Sequence, residues 1–275
     1  MMSHSAAPET WEERIDILGV QVSAVDIEQV CTVVEGWIRN RERRYVCVTG
    51  VHGIMESQRD EELRRIHNDS GLTVPDGMPT VWAGRYAGAT QIDRVYGPEM
   101  MLAICKRSSS QGWRSFFYGG APGTAELLEE KMLKRFPGMQ SAGTYTPPFR
   151  PLTPKEDEEV TATIGASGAD LVWVGLSTPK QERWMSEHVT RLKSPCILFG
   201  VGAAFDVNAG LRSDAPRWVK RLGLQWLHRL IQEPRRLWRR YLVNNPAFIA
   251  SVVRHRPRLV KGEAGNLDTG STLSP

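Results

Sequence analysis

The sequence predicts an α/β fold in which a mostly parallel, Rossmann-like sheet is flanked by helices and followed by a basic helical C-terminal appendage. Short apolar runs rich in β-branched and aromatic residues alternate with longer segments of helical period, a pattern typical of parallel α/β proteins. Residues 171–175, LVWVG, are apolar throughout, as a buried strand would be. After Gly210 the chain changes to helical segments dense in arginine and tryptophan.

This alternation predicts seven strands and the helices between them. The strands are residues 14–19, 45–49, 72–74, 115–118, 139–143, 171–175 and 196–200. Helices are predicted at 27–41, with Asp26 as a candidate N-cap, at 53–68, and at 124–135, after a glycine-rich loop. Residues 146–154, TPPFRPLTP, are predicted as a surface loop that joins the two halves of the sheet.

Charge divides the chain unevenly. Between Arg212 and Lys261 there are thirteen basic residues and two acidic ones, whereas the rest of the chain has 22 basic and 29 acidic residues. This asymmetry indicates a polyanionic partner for the tail, such as a phospholipid surface, a diphosphate or nucleic acid. We therefore predict four regions: a flexible N-terminus (1–13), an α/β domain (14–210), a basic amphipathic appendage (211–260) and a disordered tail (261–275).

Composition limits the class of protein. With 41% hydrophobic residues in 275, the chain can bury a large core, which excludes a disordered protein. The polar, acidic N-terminus lacks the features of a signal peptide, and no apolar run reaches the roughly 20 residues that span a bilayer. We expect a cytoplasmic protein, attached peripherally to the inner face of the membrane. The four scattered cysteines are expected to be buried thiols.

Two polar residues, Thr49 and Asp76, stand at predicted strand ends, where open α/β sheets place ligands and catalytic groups. Asp76 lies in a Pro-Asp-Gly triplet, which is also an ordinary turn signal, and from the residues alone the turn is favoured. Gly119 and Gly120 end the strand at 115–118. They suit either the approach of a phosphate or a tight strand-to-helix turn, and both interpretations stay open.

Two further strand ends carry candidate binding residues. After 171–175, Lys180 and Gln181 stand where a loop becomes a helix, and a cation and an amide there suit a phosphate and sugar hydroxyls. After 196–200, a loop of small residues including Gly202 leads to Asp206, which suits either a base or ribose or the cap of a turn.

The appendage has the most marked composition. In GLQWLHRLIQEPRRLWRRYL, apolar and aromatic residues recur near helical spacing with arginines between them, including Arg229 and Arg236. Such a helix suits the interface of an anionic membrane, and its plainer alternative is a helix packed on the body with a solvated basic face. Nucleic acid is not expected as a partner, since no nucleic-acid-binding motif accompanies the charge.

Several motifs are missing from the sequence. It has no Asp-x-Asp pair, no His/Cys cluster with zinc spacing and no G-x-S-x-G elbow. We therefore expect no metal and no cofactor, and arginines would neutralise any diphosphate that binds. Two rival classes stay open on the residues alone. One is a nucleotide-cofactor oxidoreductase, although GxGxxG is absent; the other is a non-catalytic membrane or nucleic-acid binding module.

Seven short segments, taken in order, resemble the WecG/TagA/CpsF glycosyltransferase family over about residues 14–245. They are PDG at 75–77, RVYG at 94–97, YGGAPG at 118–123, PKQE at 179–182, GVGAAFDVNAG at 200–210, GLQWLHRL at 223–230 and EPRR at 233–236. The resemblance implies transfer of a sugar such as N-acetylmannosamine, or its uronic acid, from a UDP-sugar donor to a polyprenyl-diphosphate-linked acceptor. The transfer would be inverting and metal-independent, and would extend a lipid-linked saccharide of an envelope or exported polysaccharide.

The resemblance also implies roles for individual residues. Asp76 would be the general base that takes the proton of the acceptor hydroxyl. The donor sugar and phosphates would be surrounded by Thr49, Arg94 and Gln181, and the uracil would lie near Asp206. The appendage would close over the site and touch the membrane, with Arg221, Arg229 and Arg236 as candidates for contact with the diphosphate. The oligomeric state stays open, a homo-oligomer included.

The chain departs from the family pattern at three places. Asp214 stands before Ala-Pro where the family usually has arginine, and Gln225 makes GLQWL of the usual GLEWL. The loop after Thr49 reads GVH where the family usually has an asparagine. These departures leave the identity of the donor sugar and of the acceptor open.

Overall fold

The computed structural model describes residues 13–261, apart from the side chains of Arg217, Arg221, Arg240 and Lys261. The flexible N-terminus and the disordered tail predicted from the sequence lie outside the described residues, except for Glu13 and Lys261.

The centre of the fold is a six-stranded sheet in which every pair of neighbouring strands is parallel. Its order is β4-β3-β8-β7-β5-β6, so all six carboxyl ends lie along one edge. The strands are β3 (Arg44–Thr49), β4 (Leu72–Pro75), β5 (Arg114–Gly119), β6 (Gln140–Tyr145), β7 (Leu171–Gly175) and β8 (Ile197–Gly200). The predicted α/β, Rossmann-like fold is confirmed.

Helices cover both faces of this sheet. The helices before the appendage are α1 (Ile27–Arg39), α2 (Val51–Ser57), α3 (Glu61–Asp69), α4 (Met78–Tyr86), α5 (Gly97–Gln111), α6 (Thr124–Arg135), α7 (Pro154–Ala166), α8 (Lys180–His188) and α9 (Ala204–Asn208). Alternate strand residues enter different cores, as the two-residue period of a strand requires. Trp173 faces α1, α5, α6 and α9, whereas Val172 and Val174 face α7 and α8.

The prediction of one helix at 53–68 is wrong. The segment forms two helices, α2 and α3, because Asp60 begins a new helix and its carboxylate accepts the backbone N–H of Leu63 at 3.0 Å. The N-cap predicted at Asp26 is confirmed, since its side chain accepts from Gln29 N at 2.8 Å and Gln29 caps it in return.

A second, antiparallel sheet lies outside the main one and was not foreseen. Its order is β2-β1-β9, formed by β1 (Glu13–Ile17), β2 (Val20–Ser23) and β9 (Arg258–Lys261). The strand predicted at 14–19 belongs to this sheet. Both β2 and β9 have four residues, too few for alternation to be distinguished from chance in the sequence.

The C-terminal part is helical, as predicted, up to β9. It comprises α10 (Arg217–Arg221), α11 (Gln225–Gln232), α12 (Pro234–Leu242) and α13 (Asn244–Arg254). Helix α13 returns to the body, where it packs on α2 and buries Phe248 in a cluster with Ile15 and Val81. Strand β9 then pairs with β1, so the last described residues are anchored to the first ones.

Candidate active site

A cleft of about 820 Å³ opens at the carboxyl ends of the parallel strands. In a sheet of this kind the crevice beyond the strand ends is where ligands bind. The appendage forms its opposite wall through residues of α11 and α12 and of the segment before α10. Eight of the residues singled out in the sequence line it: Asp76, Gly120, Lys180, Gln181, Gly202, Asp206, Arg229 and Arg236.

The other four residues singled out in the sequence do not line the cleft. Thr49 and Gly119 are buried behind it at the ends of β3 and β5, and Arg94 is turned toward the appendage. The backbone of Arg221 ends α10, but its side chain lies outside the described part of the chain.

Asp76 occupies the strand end beside the positive end of a helix. Its backbone N–H donates to the Thr49 carbonyl at 3.0 Å, which extends the pairing of β3 and β4 by one step. Its Oδ1 accepts from the N–H of Gly97, the first residue of α5, at 3.4 Å. An anionic group is favoured at a helix N-terminus. The sequence therefore holds a carboxylate at the cleft surface through backbone contacts on two sides.

Thr49 stands next to this carboxylate in the interior. Its hydroxyl is buried and has no hydrogen-bond partner among the described residues. A buried hydroxyl without a partner is costly, so this position is one where a polar group of a ligand or a water molecule would be stabilised.

Gly119 and Gly120 have positive φ angles of 119° and 80°. A Cβ atom at Gly119 would lie 2.8 Å from the Gly175 backbone, which only glycine permits, so close packing of β5 on β7 accounts for this residue. Gly120 donates its N–H to the Gly175 carbonyl at 3.1 Å and faces the cleft. Close strand packing thus explains the glycine at position 119, and the predicted place of Gly119 and Gly120 beside a phosphate stays a prediction.

Gln181 is buried at the cleft floor with one polar atom left over. Its Nε2 donates to Glu182 and to the Gly200 carbonyl, both at 3.0 Å. Its Oε1 has no partner among the described residues and is close to Gly202. Glu182, fully buried, also accepts from the Thr178 hydroxyl at 2.8 Å, so the loop after β7 is fixed in place. The amide oxygen thus forms an acceptor beside the cleft.

Glu233 forms ion pairs with the cations on the appendage wall of the cleft. It pairs with Arg236 and, at 3.3 Å, with Arg212, which also reaches Asp206 at 3.3 Å. Partial burial raises the pKa of Glu233, but the hydrogen bond from Arg236 and the nearby arginine charges outweigh it and hold that pKa below its usual value. Glu233 therefore stays ionised and keeps two guanidinium groups at the cleft.

A second polar cluster joins the appendage to the body. The Arg94 guanidinium donates to Gln225 at 2.8 Å and to Glu99 at 3.2 Å, and Lys220 donates to Glu99 at 2.9 Å. Lys220 also pairs with Asp214. Gln225 and Asp214, two of the departures from the family pattern, are thus contacts of this junction.

Tyr96 lies at the centre of the same cluster. Its hydroxyl donates to Asp214 at 3.1 Å, and both Arg94 and Lys220 stand over its ring at 4.9 Å from the centroid. Burial, followed by the charges of Asp214 and Asp76, raises the pKa of Tyr96 well above its usual value. Tyr96 therefore keeps its proton and serves as a donor.

The sequence analysis missed the aromatic side of the cleft. Trp184 stacks between Tyr118, at 4.4 Å between ring centroids, and His188, at 4.3 Å. Trp184 and His188 lie on one side of α8 by their i,i+4 spacing, but Tyr118 joins them only when α8 packs on the sheet. His228 was also missed, although its spacing of three residues from Gln225 places the two on one surface of α11.

The described residues provide neither a metal-binding cluster nor a membrane-spanning helix. Within residues 13–261, no group of three or more His, Cys, Asp or Glu side chains is placed to hold a metal ion. Over the same range, no helix is both long and apolar enough to cross a membrane. The four cysteines are buried as free thiols, as predicted.

Comparison with known proteins supports the resemblance. A model described as the glycosyl transferase WecG/TagA/CpsF family matches residues 15–262. A relative from Bacillus spizizenii, an N-acetylglucosaminyldiphosphoundecaprenol N-acetyl-beta-D-mannosaminyltransferase, is 28% identical over 200 residues, which cover 73% of this chain and 75% of that protein. These matches favour a transferase over an oxidoreductase or a non-catalytic binding module. Because the family model covers nearly all of the chain, and the cleft lies where the matched motifs converge, the chain belongs to the WecG/TagA/CpsF family of glycosyltransferases.

Proposed function

We propose that this enzyme transfers a sugar of the N-acetylmannosamine type, its uronic acid or a related hexose from a UDP donor to a polyprenyl-diphosphate-linked acceptor. By analogy with the named Bacillus relative, the acceptor saccharide is expected to end in N-acetylglucosamine. The product would be a lipid-linked saccharide of an envelope or exported polysaccharide.

The observation that carries the proposal is the distribution of charge across the cleft. Asp76 lies on the body wall, and Arg229 and Arg236 lie on the appendage wall of the same cleft. An inverting transfer needs a base at the acceptor oxygen and positive charge at the leaving group on the other side of the sugar. The cleft offers both in one space.

In this mechanism the Asp76 carboxylate accepts the proton of the acceptor hydroxyl. The freed oxygen attacks C1 of the donor sugar, forming the new glycosidic bond while the bond from C1 to the diphosphate oxygen breaks. UDP departs with the electron pair of that bond. Because attack and departure occur on opposite faces of C1, the configuration at C1 is inverted.

The leaving diphosphate would be neutralised by side-chain cations. Arg229, Arg236 and Lys180 line the cleft, and guanidinium groups bind phosphate oxygens through paired hydrogen bonds. Arg221 is likewise expected to help neutralise the diphosphate. We propose accordingly that the reaction needs neither a metal nor a cofactor.

Two atoms unpaired among the described residues, the Gln181 amide oxygen at the cleft floor and the Thr49 hydroxyl buried behind it, suit polar groups of the sugar. Gln181 Oε1 and Thr49 Oγ1 have no partner among the residues from 13 to 261. A donor sugar with hydroxyl and acetamido groups can satisfy such atoms, which makes these two residues candidates for donor recognition. Asp206, already paired with Arg212, is the candidate for contact with the nucleoside.

The chain is also proposed to associate peripherally with the inner face of the membrane. Helices α11 and α12 carry exposed Leu227, Ile231 and Trp238 together with Arg235 and Arg239. This composition suits an anionic interface, where the lipid-linked acceptor would lie.

The direct test is Asp76→Asn, measured as transfer from UDP-N-acetylmannosamine to a short-chain lipid diphosphate acceptor. Loss of a general base lowers kcat by about 10²–10⁴-fold. UDP affinity measured by calorimetry should stay unchanged, since the carboxamide keeps the shape of the site. Asp93→Asn, a carboxylate on the loop that follows α4, is the matched control. Full turnover by Asp76→Asn would remove Asp76 from the role of base.

The donor is tested separately with a panel of UDP-sugars, following donor hydrolysis in the absence of acceptor. We expect UDP to be released faster from UDP-N-acetylmannosamine or UDP-N-acetylmannosaminuronic acid than from other UDP-sugars. Stabilisation of the chain by NAD, with none by UDP, would contradict the proposed donor.

A further inference from the structure

Helix α4 presents two large aromatic side chains to solvent. Trp82 is 51% exposed and Tyr86 is 64% exposed. Residues four apart lie on the same side of a helix, so the two form one continuous stripe. The opposite side of α4 is buried, with Val81 and Ala83 in the cluster that also contains Phe248 of α13.

The appendage contacts α4 at both of its ends. Gly223, in the turn between α10 and α11, packs on Trp82 so closely that a Cβ atom there would lie 3.0 Å from the ring. At the other end, Tyr86 lines a groove of about 960 Å³ with residues 255–259, the turn from α13 to β9. The stripe on α4 is therefore continuous with the basic helices at one end and with this groove at the other.

The groove combines cations with apolar surface. His255, Arg256, Arg258 and Leu259 are exposed on one side, and Tyr86 closes the other. Arg258 is 3.5 Å from Asp16, so part of its charge is compensated, whereas Arg256 has no recorded ion pair among the described residues. The charge of the groove is therefore positive.

Helix α13 extends the same surface. Ile249 is 62% exposed and Val253 is 74% exposed, one turn apart and just before the groove. Exposed aromatic and aliphatic side chains around an arginine with no ion pair among the described residues, here Arg256, are typical of a surface that meets anionic lipid headgroups, where the rings enter the interface and the cation binds phosphate. A contiguous apolar surface of this kind marks an interaction site.

We propose that α4 and the groove at 255–259 form a second contact with anionic phospholipid headgroups, in addition to α11 and α12. The inference rests on the membrane association in the proposed function. It adds an orientation, because α4 begins two residues after Asp76. With the stripe on the membrane, we expect the adjoining strand end that carries Asp76 to lie close to the lipid surface, within reach of a lipid-linked acceptor.

The test is co-sedimentation of the full chain with vesicles of phosphatidylcholine, with or without phosphatidylglycerol. The variant Tyr86→Ala/Arg256→Ala should bind the anionic vesicles about tenfold more weakly, of which roughly fivefold comes from the arginine. Leu133→Ala/Lys134→Ala on α6, also one apolar and one basic exposed residue, is the matched control and should bind as the unaltered chain does.

Three results would overturn the proposal. The first is unchanged vesicle binding by the double variant. The second is a change from dimer to monomer in vesicle-free buffer, which would make the surface a contact between copies. The third is stabilisation of the unaltered chain, but not the variant, by inorganic pyrophosphate while vesicle binding is unchanged, which would indicate a free-diphosphate site.

Transfer activity in detergent separates this inference from the proposed function. With a short-chain acceptor in micelles, the double variant should keep full activity, because neither residue lines the cleft. If neither chain transfers sugar but the variant still binds vesicles more weakly, the surface stands and the proposed function fails.

Discussion

Different interactions stabilise the two regions of the molecule: apolar burial in the body, and polar contacts around α11 in the appendage. In the body, the strands of the main sheet other than β6 are mostly buried, with Trp173 and Phe199 stacked at 4.6 Å between their ring centroids. In the appendage, α11 has no buried residue. Around α11, the junction with the body is the polar cluster of Arg94, Lys220 and Tyr96, whereas α13 and β9 are anchored by burial of Phe248 and by pairing with β1.

This difference means that the two walls of the cleft differ in rigidity. Burial of an aromatic or branched side chain contributes about 1.5–3 kcal/mol, and the body contains many such side chains. A hydrogen bond to a charged group contributes a similar amount and an exposed ion pair less than about 1 kcal/mol, but the junction at α11 has only a few of them among the described residues. The proposed base therefore sits on a rigid strand end. The proposed diphosphate ligands sit on a wall that can be released at a much smaller cost in free energy.

The largest effect on this comparison is expected from Phe199→Ala. Removing a fully buried ring that stacks on Trp173 should lower the free energy of unfolding by about 3–5 kcal/mol. Urea denaturation followed by tryptophan fluorescence measures it. Leu227→Ala on α11 is the counterpart in the appendage and should change the same quantity by less than about 1 kcal/mol. Equal losses would refute the distinction between the two regions.

The stability of the body should depend on pH through His67. Burial lowers the pKa of His67 to about 4, despite a hydrogen bond with the Leu63 carbonyl. An unfolded histidine has a pKa of about 6.5, so the unfolded chain binds more protons between these values. The contribution of neutral His67 to the free energy of unfolding is complete above about pH 6.5. It is lost as the pH falls toward 4, by about 3 kcal/mol in total. His67→Gln should flatten this part of the unfolding profile; an unchanged slope would contradict the assignment.

Docking of the appendage should depend instead on Lys220. Lys220→Met removes a cation held by Glu99 and Asp214, so Asp214 loses its ion pair while Glu99 keeps the one with Arg94. Docking should weaken by about 1–2 kcal/mol after allowance for the partial exposure of the carboxylates. Hydrogen exchange in α10 and α11, compared with exchange in β3, measures it. Lys155→Met on exposed α7 is the control. Faster exchange of α10 and α11 in this control variant too would indicate a general effect.

The smallest effect is expected from Gln225→Ala. This change removes one hydrogen bond from the Arg94 guanidinium while Glu99 still holds it. The appendage should loosen by about 1 kcal/mol, and the loosening should be easier to detect at high salt, where the remaining ion pairs are screened. Hydrogen exchange in α11 again reports it. No change at any salt concentration would show that Arg94 and Gln225 do not couple the two regions.

Sequence patterns predicted the strand ends of the site well. Asp76, Lys180 and Asp206 each follow an apolar run, and in a parallel sheet the carboxyl ends of all strands share one edge. Their presence in one cleft follows from that rule once the strands are assigned. The roles given to them remain predictions for the variants above.

The orientation of Arg94 could not be predicted in this way. The RVYG segment gave no reason why Tyr96, and not Arg94, should line the cleft. That choice depends on Gln225 and Glu99, which lie 131 and five residues away along the chain and compete for the guanidinium only after folding.

The sequence by itself determined the α/β class, the strand ends that carry polar residues, and the basic, amphipathic character of the appendage. These features depend on local periodicity and composition, which neighbouring residues specify. Only the tertiary structure decided that β9 pairs with β1, that α13 buries Phe248 in the body, and that α4 lies between two parts of the appendage. Such contacts join segments far apart in the chain, and their free energy comes from surfaces that exist only once both segments are folded.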